Sequence, residues 1–195
     1  AEAQVVALAD PDPAKRERLA GSHGLPRERV FADWSALLAE HRLADAVVIA
    51  TPDALHPACV QAALAKGYEV LLEKPIAPTL QGVQEVLAAA AEAEGTVTVA
   101  HVLRYTSFFQ TLKRLLVDGR IGQLITVQLT ENVGYWHFAH SFVRGNWRRE
   151  DLSSPMILAK SCHDLDILRW LVDRPCVRVA SSGSLSHFRA ENAPP

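Results

Sequence analysis

Residues 46–75 read AVVIATPDALHPACVQAALAKGYEVLLEKP. The stretch opens on a strand-length apolar run, Ala46-Val47-Val48-Ile49-Ala50, and breaks at the turn Thr51-Pro52-Asp53. From about Pro57 to Lys66 the pattern predicts a helix, and Gly67 stands where a left-handed C-cap is needed. A second apolar run, Tyr68 to Leu72, follows and ends abruptly in Glu73-Lys74-Pro75. Uniformly apolar strands separated by single helices imply parallel pairing, with both faces of the sheet covered by helices.

The same alternation extends in both directions. Upstream lie a strand at Val5 to Ala9, a charged helix from Pro13 to Ala20, a short extended piece at Val30-Phe31, and a helix from Trp34 to His41 opened by the N-cap Asp33. Downstream come a helix from about Leu80 to Glu94, closed by Gly95, and a strand from Thr96 to Leu103. The fold class expected is therefore α/β, a doubly wound parallel sheet of the Rossmann type. After a helix from Phe108 to Asp118 and a turn over Gly119 to Gly122 the character changes. Leu124 to Glu131 alternates with a period of two, as a half-exposed strand of an antiparallel sheet does. Gly134 to Arg149 is aromatic and loop-like, a helix capped by Ser154 with Pro155 in its first turn runs to about Leu171, and Cys176 to Leu185 reads as another strand. A boundary near Arg120 separates a nucleotide-binding domain, 1–120, from the start of an α+β domain with a mainly antiparallel sheet, 121–195.

Composition narrows the partners. A net charge of -2 over 195 residues, with no long run of like charge, argues against nucleic acid and anionic membranes as partners. No apolar run approaches the roughly 20 residues of a membrane span. Cys59, Cys162 and Cys176 have neither metal-site spacing nor the density of a disulfide scaffold, so reduced thiols in a cytoplasmic protein are expected. The expected partner is a small molecule, or another copy of the chain.

In a doubly wound sheet, ligands bind at the carboxyl ends of the strands. Four polar features fall there: Asp10, Thr51-Pro52, Glu73-Lys74-Pro75 and Arg104-Tyr105. Asp10 stands where a dinucleotide fold places the acid that accepts from the adenosine ribose, and a carboxylate there disfavours a 2′-phosphate, so NAD is expected rather than NADP. Asp10-Pro11-Asp12-Pro13 reads equally as a turn and helix start. His56 reads either as a residue near the cofactor or as a local cap. Farther on, SSPMILAKSCHDLDILRW (153–170) spaces Lys160, His163 and Asp164 onto one helix face, with Leu165, Leu168, Leu171 and Val172 as the packing face. Histidine near neutrality takes the proton of an alcohol as hydride leaves carbon. In GYWHFAHSFVRGNWRR (134–149), aromatic faces such as Tyr135 and Trp147 suit sugar rings, and Arg144, Asn146, Trp147 and Arg148 are donors for hydroxyl or carboxylate groups. The same segment reads equally as an interdomain packing loop. His137 and His140 lack further ligands of metal-site spacing, so no metal is expected.

Residues 50–77, ATPDALHPACVQAALAKGYEVLLEKPIA, together with HVLRY (101–105), GRIGQL (119–124) and CHDLDILRW (162–170), resemble the glucose-fructose oxidoreductase, inositol dehydrogenase and rhizopine-catabolism (Gfo/Idh/MocA) family. The resemblance implies an NAD(P)-dependent dehydrogenase or reductase acting on the hydroxyl or carbonyl of a sugar, cyclitol or derivative. It implies that Lys74 reaches the nicotinamide ribose and the substrate hydroxyl and that Pro75 fixes the turn. It makes His163 the base, alone or shared with Lys74, and implies a homo-oligomer formed through the second domain's sheet. Many relatives carry an aspartate four residues before this histidine; here Ala159 occupies that place and Lys160 follows it, a candidate to assist the proton transfer. The resemblance also makes Ala1 the start of the second strand, without the preceding strand and G-x-G-x-x-G loop, so a piece of a longer enzyme is expected. A non-catalytic dinucleotide- or sugar-binding protein of the same fold is the alternative.

Overall fold

The computed structural model describes residues 3–192. Its centre is a parallel sheet of three strands in the order β3 (Ala46–Ile49), β4 (Glu69–Leu72), β5 (Val97–Val99), with Val47 opposite Val70, Ile49 opposite Leu72, and Leu72 opposite Val99. A second parallel pair joins β1 (Leu8–Ala9) to β2 (Val30–Phe31), so the doubly wound sheet is present as two pieces among the described residues. Helices α1 (Pro13–His23) and α2 (Trp34–Ala39) accompany the first piece, and α3 (His56–Ala65) and α4 (Leu80–Glu92) link the strands of the second.

Local signals fix these elements. Asp12 and Asp33 cap α1 and α2 by accepting from backbone N–H groups one turn in, and Thr79 does the same for α4 through Gly82 N. Gly67 takes the left-handed conformation at φ 73°. Its N–H bonds the carbonyl of Leu64 while that of Tyr68 bonds Ala63, so α3 ends in a Schellman turn that aims the chain into β4. Along α3, Cys59 with Ala63 and Val60 with Leu64 repeat at a spacing of four and are all buried, against Ile49, Val70, Leu72 and Val86. Gly95 lies under β4, where any side chain would collide with the Tyr68 carbonyl oxygen.

The expectation that both sheet faces are covered is not met. Neighbours in register share a face, and Val48, Leu71 and Thr98 form the one opposite the core. Val48 is 66% and Leu71 40% exposed, because α3 and α4 cover only the face of Ile49, Val70 and Leu72.

Other expectations change at their edges. The first strand holds only Leu8–Ala9, not Val5 onward, and the last contracts to Val97–Val99 before a 3-10 turn at Val102–Tyr105. Beyond α5 (Ser107–Val117), the expected strands at 124–131 and 176–185 do not form among the described residues. Ile125, Val177 and Val179 are 78%, 94% and 79% exposed. A strand is made by its neighbour's hydrogen bonds, and alternation alone does not supply one. The aromatic stretch is not all loop: α6 (Tyr135–Phe138) runs into a π-helical turn at Ala139–Val143. The last long helix, α7 (Met156–Val172), has Pro155 at its N-cap position and no side-chain cap, and Ser154 Oγ is buried with no partner among the described residues, not a cap. Its buried stripe is Ala159, Ile167 and Leu171, so of the expected packing face Leu171 is buried and Leu168 half-buried, whereas Leu165 and Val172 are exposed.

Candidate active site

β4 runs straight into the cluster. Leu72 is fully buried, Glu73 emerges into solvent, and a cis Lys74–Pro75 bond turns the chain. The half-buried Lys74 reaches across to the second half of the chain, where its Nζ donates to the carbonyl of Ala159 in α7 at 3.0 Å. That contact sets the lysine against the helix that carries Lys160, His163 and Asp164.

On α7 the spacing of four that buries Ala159, Ile167 and Leu171 passes through position 163, so His163 sits half-buried on the packed stripe. Its ring meets that of His101, from the exit of β5, edge to face at 5.8 Å between centroids. Nδ1 of both rings is buried without a hydrogen-bond partner among the described residues. Burial first, then the charge of Lys74 and the neighbouring His101, hold His163 below its ordinary value, with Asp164 and Asp166 pulling the other way. His163 is thus a neutral imidazole near pH 7, able to accept a proton. Lys160 is likewise lowered by burial and by Lys74, and its Nζ lies 2.5 Å from Nε2 of His137 in α6.

The remaining expected residues fall into three groups. Thr51, His56 and Pro75 form a support beneath the rim: His56, 1% exposed, places Nδ1 2.8 Å from the Pro75 carbonyl oxygen and Nε2 2.9 Å from that of Thr51. Both ring nitrogens are thereby engaged with backbone, leaving none for a cofactor. Arg104 is engaged too, since its guanidinium grips both oxygens of Asp166 at 2.7 and 2.6 Å and lies over Trp170. Trp147 donates its indole N–H to Asp53 Oδ2 at 3.1 Å, which docks the aromatic segment onto the turn after β3 beside Pro52.

The third group is not joined to the cluster. Asp10 ends β1 in the other sheet piece, where Oδ1 accepts from Asp12 N. Glu73 accepts only from Lys74 N among the described residues; Tyr135 is 84% exposed; and Arg148 donates to the Gly145 carbonyl. Asp164, half-buried, makes no side-chain hydrogen bond among the described residues and acts on His163 through its charge alone.

Three participants are not singled out from sequence, His101, Asp166 and Asp53, and His137 is weighed there only as a metal ligand. Asp166 had a signal, since it lies three residues after His163 on the same helix side. Its pairing with Arg104 spans 62 positions, and that of Trp147 with Asp53 spans 94, so neither was visible in any local pattern.

The arrangement gathers a neutral imidazole, an ammonium and a second amine on the strand-end side of a parallel sheet. Residues 1–101 match a family described as an oxidoreductase family with an NAD-binding Rossmann fold, and residues 109–193 match the GFO/IDH/MocA C-terminal domain. Among curated relatives, the chain is 33% identical to the putative oxidoreductase YteT of Bacillus subtilis, over 74% of this chain and 33% of that protein. It is 31% identical to inositol 2-dehydrogenase 1 of Saccharopolyspora erythraea, over 97% of this chain and 53% of the relative. Among solved structures, the WlbA dehydrogenase of Bordetella pertussis, in complex with NADH and UDP-GlcNAcA, superposes with a TM-score of 0.70 at 27% identity, covering 87% of this chain and 50% of that one. The chain thus spans between a third and about half of the length of these proteins. With both of its parts matched in order, the chain belongs to the Gfo/Idh/MocA family of NAD-binding oxidoreductases.

Proposed function

We propose that the chain carries the catalytic centre of a nicotinamide-dependent oxidoreductase that moves a hydride between the cofactor and the hydroxyl or carbonyl carbon of a sugar, cyclitol or derivative. The observation that carries this reading is the contact of Lys74 with α7 beside His163, which brings a strand-end ammonium and a neutral imidazole to one place. In the direction of oxidation, His163 accepts the hydroxyl proton, and the ammonium of Lys74 stabilises the alkoxide character that develops on oxygen. In the reverse direction the imidazolium returns the proton. Lys160, with His137 behind it, assists at the same oxygen, and NAD, when bound, supplies the hydride acceptor.

The residues present fit such a cofactor. His56 lies between the carbonyl oxygens of Thr51 and Pro75 at the carboxyl ends of β3 and β4, and the second carboxylate oxygen of Asp10 has no bond among the described residues and is available to a ribose hydroxyl. A carboxylate there favours NAD over NADP. Tyr135, Trp147, Arg148 and Asp164 are assigned to the substrate side, with Arg144 and Asn146 as further donors. Thr51, Pro52, Glu73 and Pro75 shape the cofactor side, His56 supports it from below, and Arg104 serves it indirectly through Asp166. The division at 120 into a nucleotide-binding and a substrate domain, a homo-oligomeric state and a cytoplasmic location complete the reading; no described helix is long and apolar enough to cross a membrane.

The test replaces Lys74 and His163 singly by Ala in the full-length gene product. Loss of a proton-transfer group lowers kcat by about a hundredfold or more, with nucleotide binding retained, and turnover equal to wild type in both variants refutes the assignment. Nucleotide or sugar binding without turnover in the wild type would support the non-catalytic alternative.

A further inference from the structure

Two of the buried polar atoms without a partner, Nδ1 of His101 and Nδ1 of His163, belong to rings that touch. Behind them runs a chain of contacts. His101 Nδ1 lies 3.9 Å from Oδ2 of Asp166, and Asp166, 10% exposed, is gripped at both oxygens by Arg104. Arg104 and His101 lie three residues apart in the segment that leaves β5, whereas Asp166 and His163 lie three apart on α7. The bidentate pair therefore fixes the segment that bears one histidine against the helix that bears the other. None of the four belongs to the hydrophobic core cluster.

We propose that His101, braced by the Asp166–Arg104 pair, is the positioning residue of His163, setting the orientation of its ring and the tautomer in which it meets the substrate proton. The inference rests on the reading of His163 as the base. Edge-to-face contact restrains the His163 ring, and a titratable neighbour on one side makes its two nitrogens unequal.

The groups facing this pair are Lys74 from the exit of β4, Arg104 from the segment after β5, and Asp164 and Asp166 on α7. Asp166 favours the charged form of both rings, whereas His101 disfavours that of His163. Replacing the two therefore moves His163 in opposite directions, which a merely structural brace does not do.

The experiment records long-range proton–nitrogen spectra of His163 across pH in the ligand-free, full-length protein, for the wild type, His101→Asn and Asp166→Asn. The wild type is expected to show one dominant tautomer. His101→Asn raises the pH at which His163 titrates and mixes its tautomers, and Asp166→Asn lowers it. The acid limb of kcat/KM follows in each case, and kcat falls about tenfold or more, as when an orienting partner is removed, with KM for NAD nearly constant. Because Asp166→Asn leaves the Arg104 charge unpaired, the double variant Asp166→Asn with Arg104→Gln provides the same readout if the single one does not fold. An unchanged tautomer and midpoint in folded His101→Asn overturns the proposal even where turnover is normal. A wild type without turnover counts against His163 as base, while the spectra still decide whether His101 positions it.

Discussion

His56 stands between two carbonyl oxygens, of Thr51 and Pro75, and is 1% exposed. A neutral imidazole donates to one of the two oxygens, so removing the ring strips that carbonyl of its donor, at a cost of about 1–3 kcal/mol. His56→Ala is therefore expected to lower Tm clearly and to raise KM for nucleotide by loosening the rim; an unchanged Tm would show that the ring is not a support. The sequence left His56 open between cofactor contact and cap, because its second partner lies 19 residues away. His101 and His163 make a further residue-scale prediction. Both are held below their ordinary value of 6.5, chiefly by burial, so on acidification the unfolded chain takes up protons before the folded one. The stability they contribute is in place above pH 6.5 and is lost as pH falls from there to their folded values. Urea unfolding on either side of pH 6.5 checks the sign, and a double His101→Asn, His163→Asn variant is expected to lose part of the pH dependence. Dependence equal to wild type would place the titration elsewhere.

At the scale of elements, the ion pair between the β5 exit and α7 ties the sheet to the last helix, beside the contact of Lys74 with Ala159. Arg104 is 36% and Asp166 10% exposed, between the surface and buried limits, so Arg104→Ala is expected to cost about 2 kcal/mol and to disturb His163. Denaturant unfolding measures it, and a loss within error would make the pair dispensable. Gly95→Ala tests the seat of β4, since the added methyl meets the Tyr68 carbonyl oxygen and the strand must shift. Parallel pairing of residues 46–99 was legible because each apolar run is followed by a helix with its own cap and stop, Gly67 above all. Exposure of Val48 and Leu71 was not, since an apolar run looks the same whether one face or both are covered. The alternation at 124–131 was correctly seen as a pattern, yet pairing depends on a neighbour that no local pattern names.

Over the whole molecule, the exits of β4 and β5 in the three-stranded piece and helix α7 converge on a charged cluster in which Lys74 from the first half meets Ala159 from the second. The functional half of the account was legible as residue types at strand ends and on one helix face. Which of those residues are engaged in support, as His56 and Arg104 are, required their partners in space. The family relation gives the whole an NAD-binding frame, and the chain's own contacts assign roles within it. The most direct test is NADH formation by the full-length gene product given NAD and a panel of cyclitols, aldoses and their acids, with the His163→Ala protein beside it. Turnover in the wild type that falls about a hundredfold or more in the variant is the predicted result; equal turnover in the two would contradict the account at its centre.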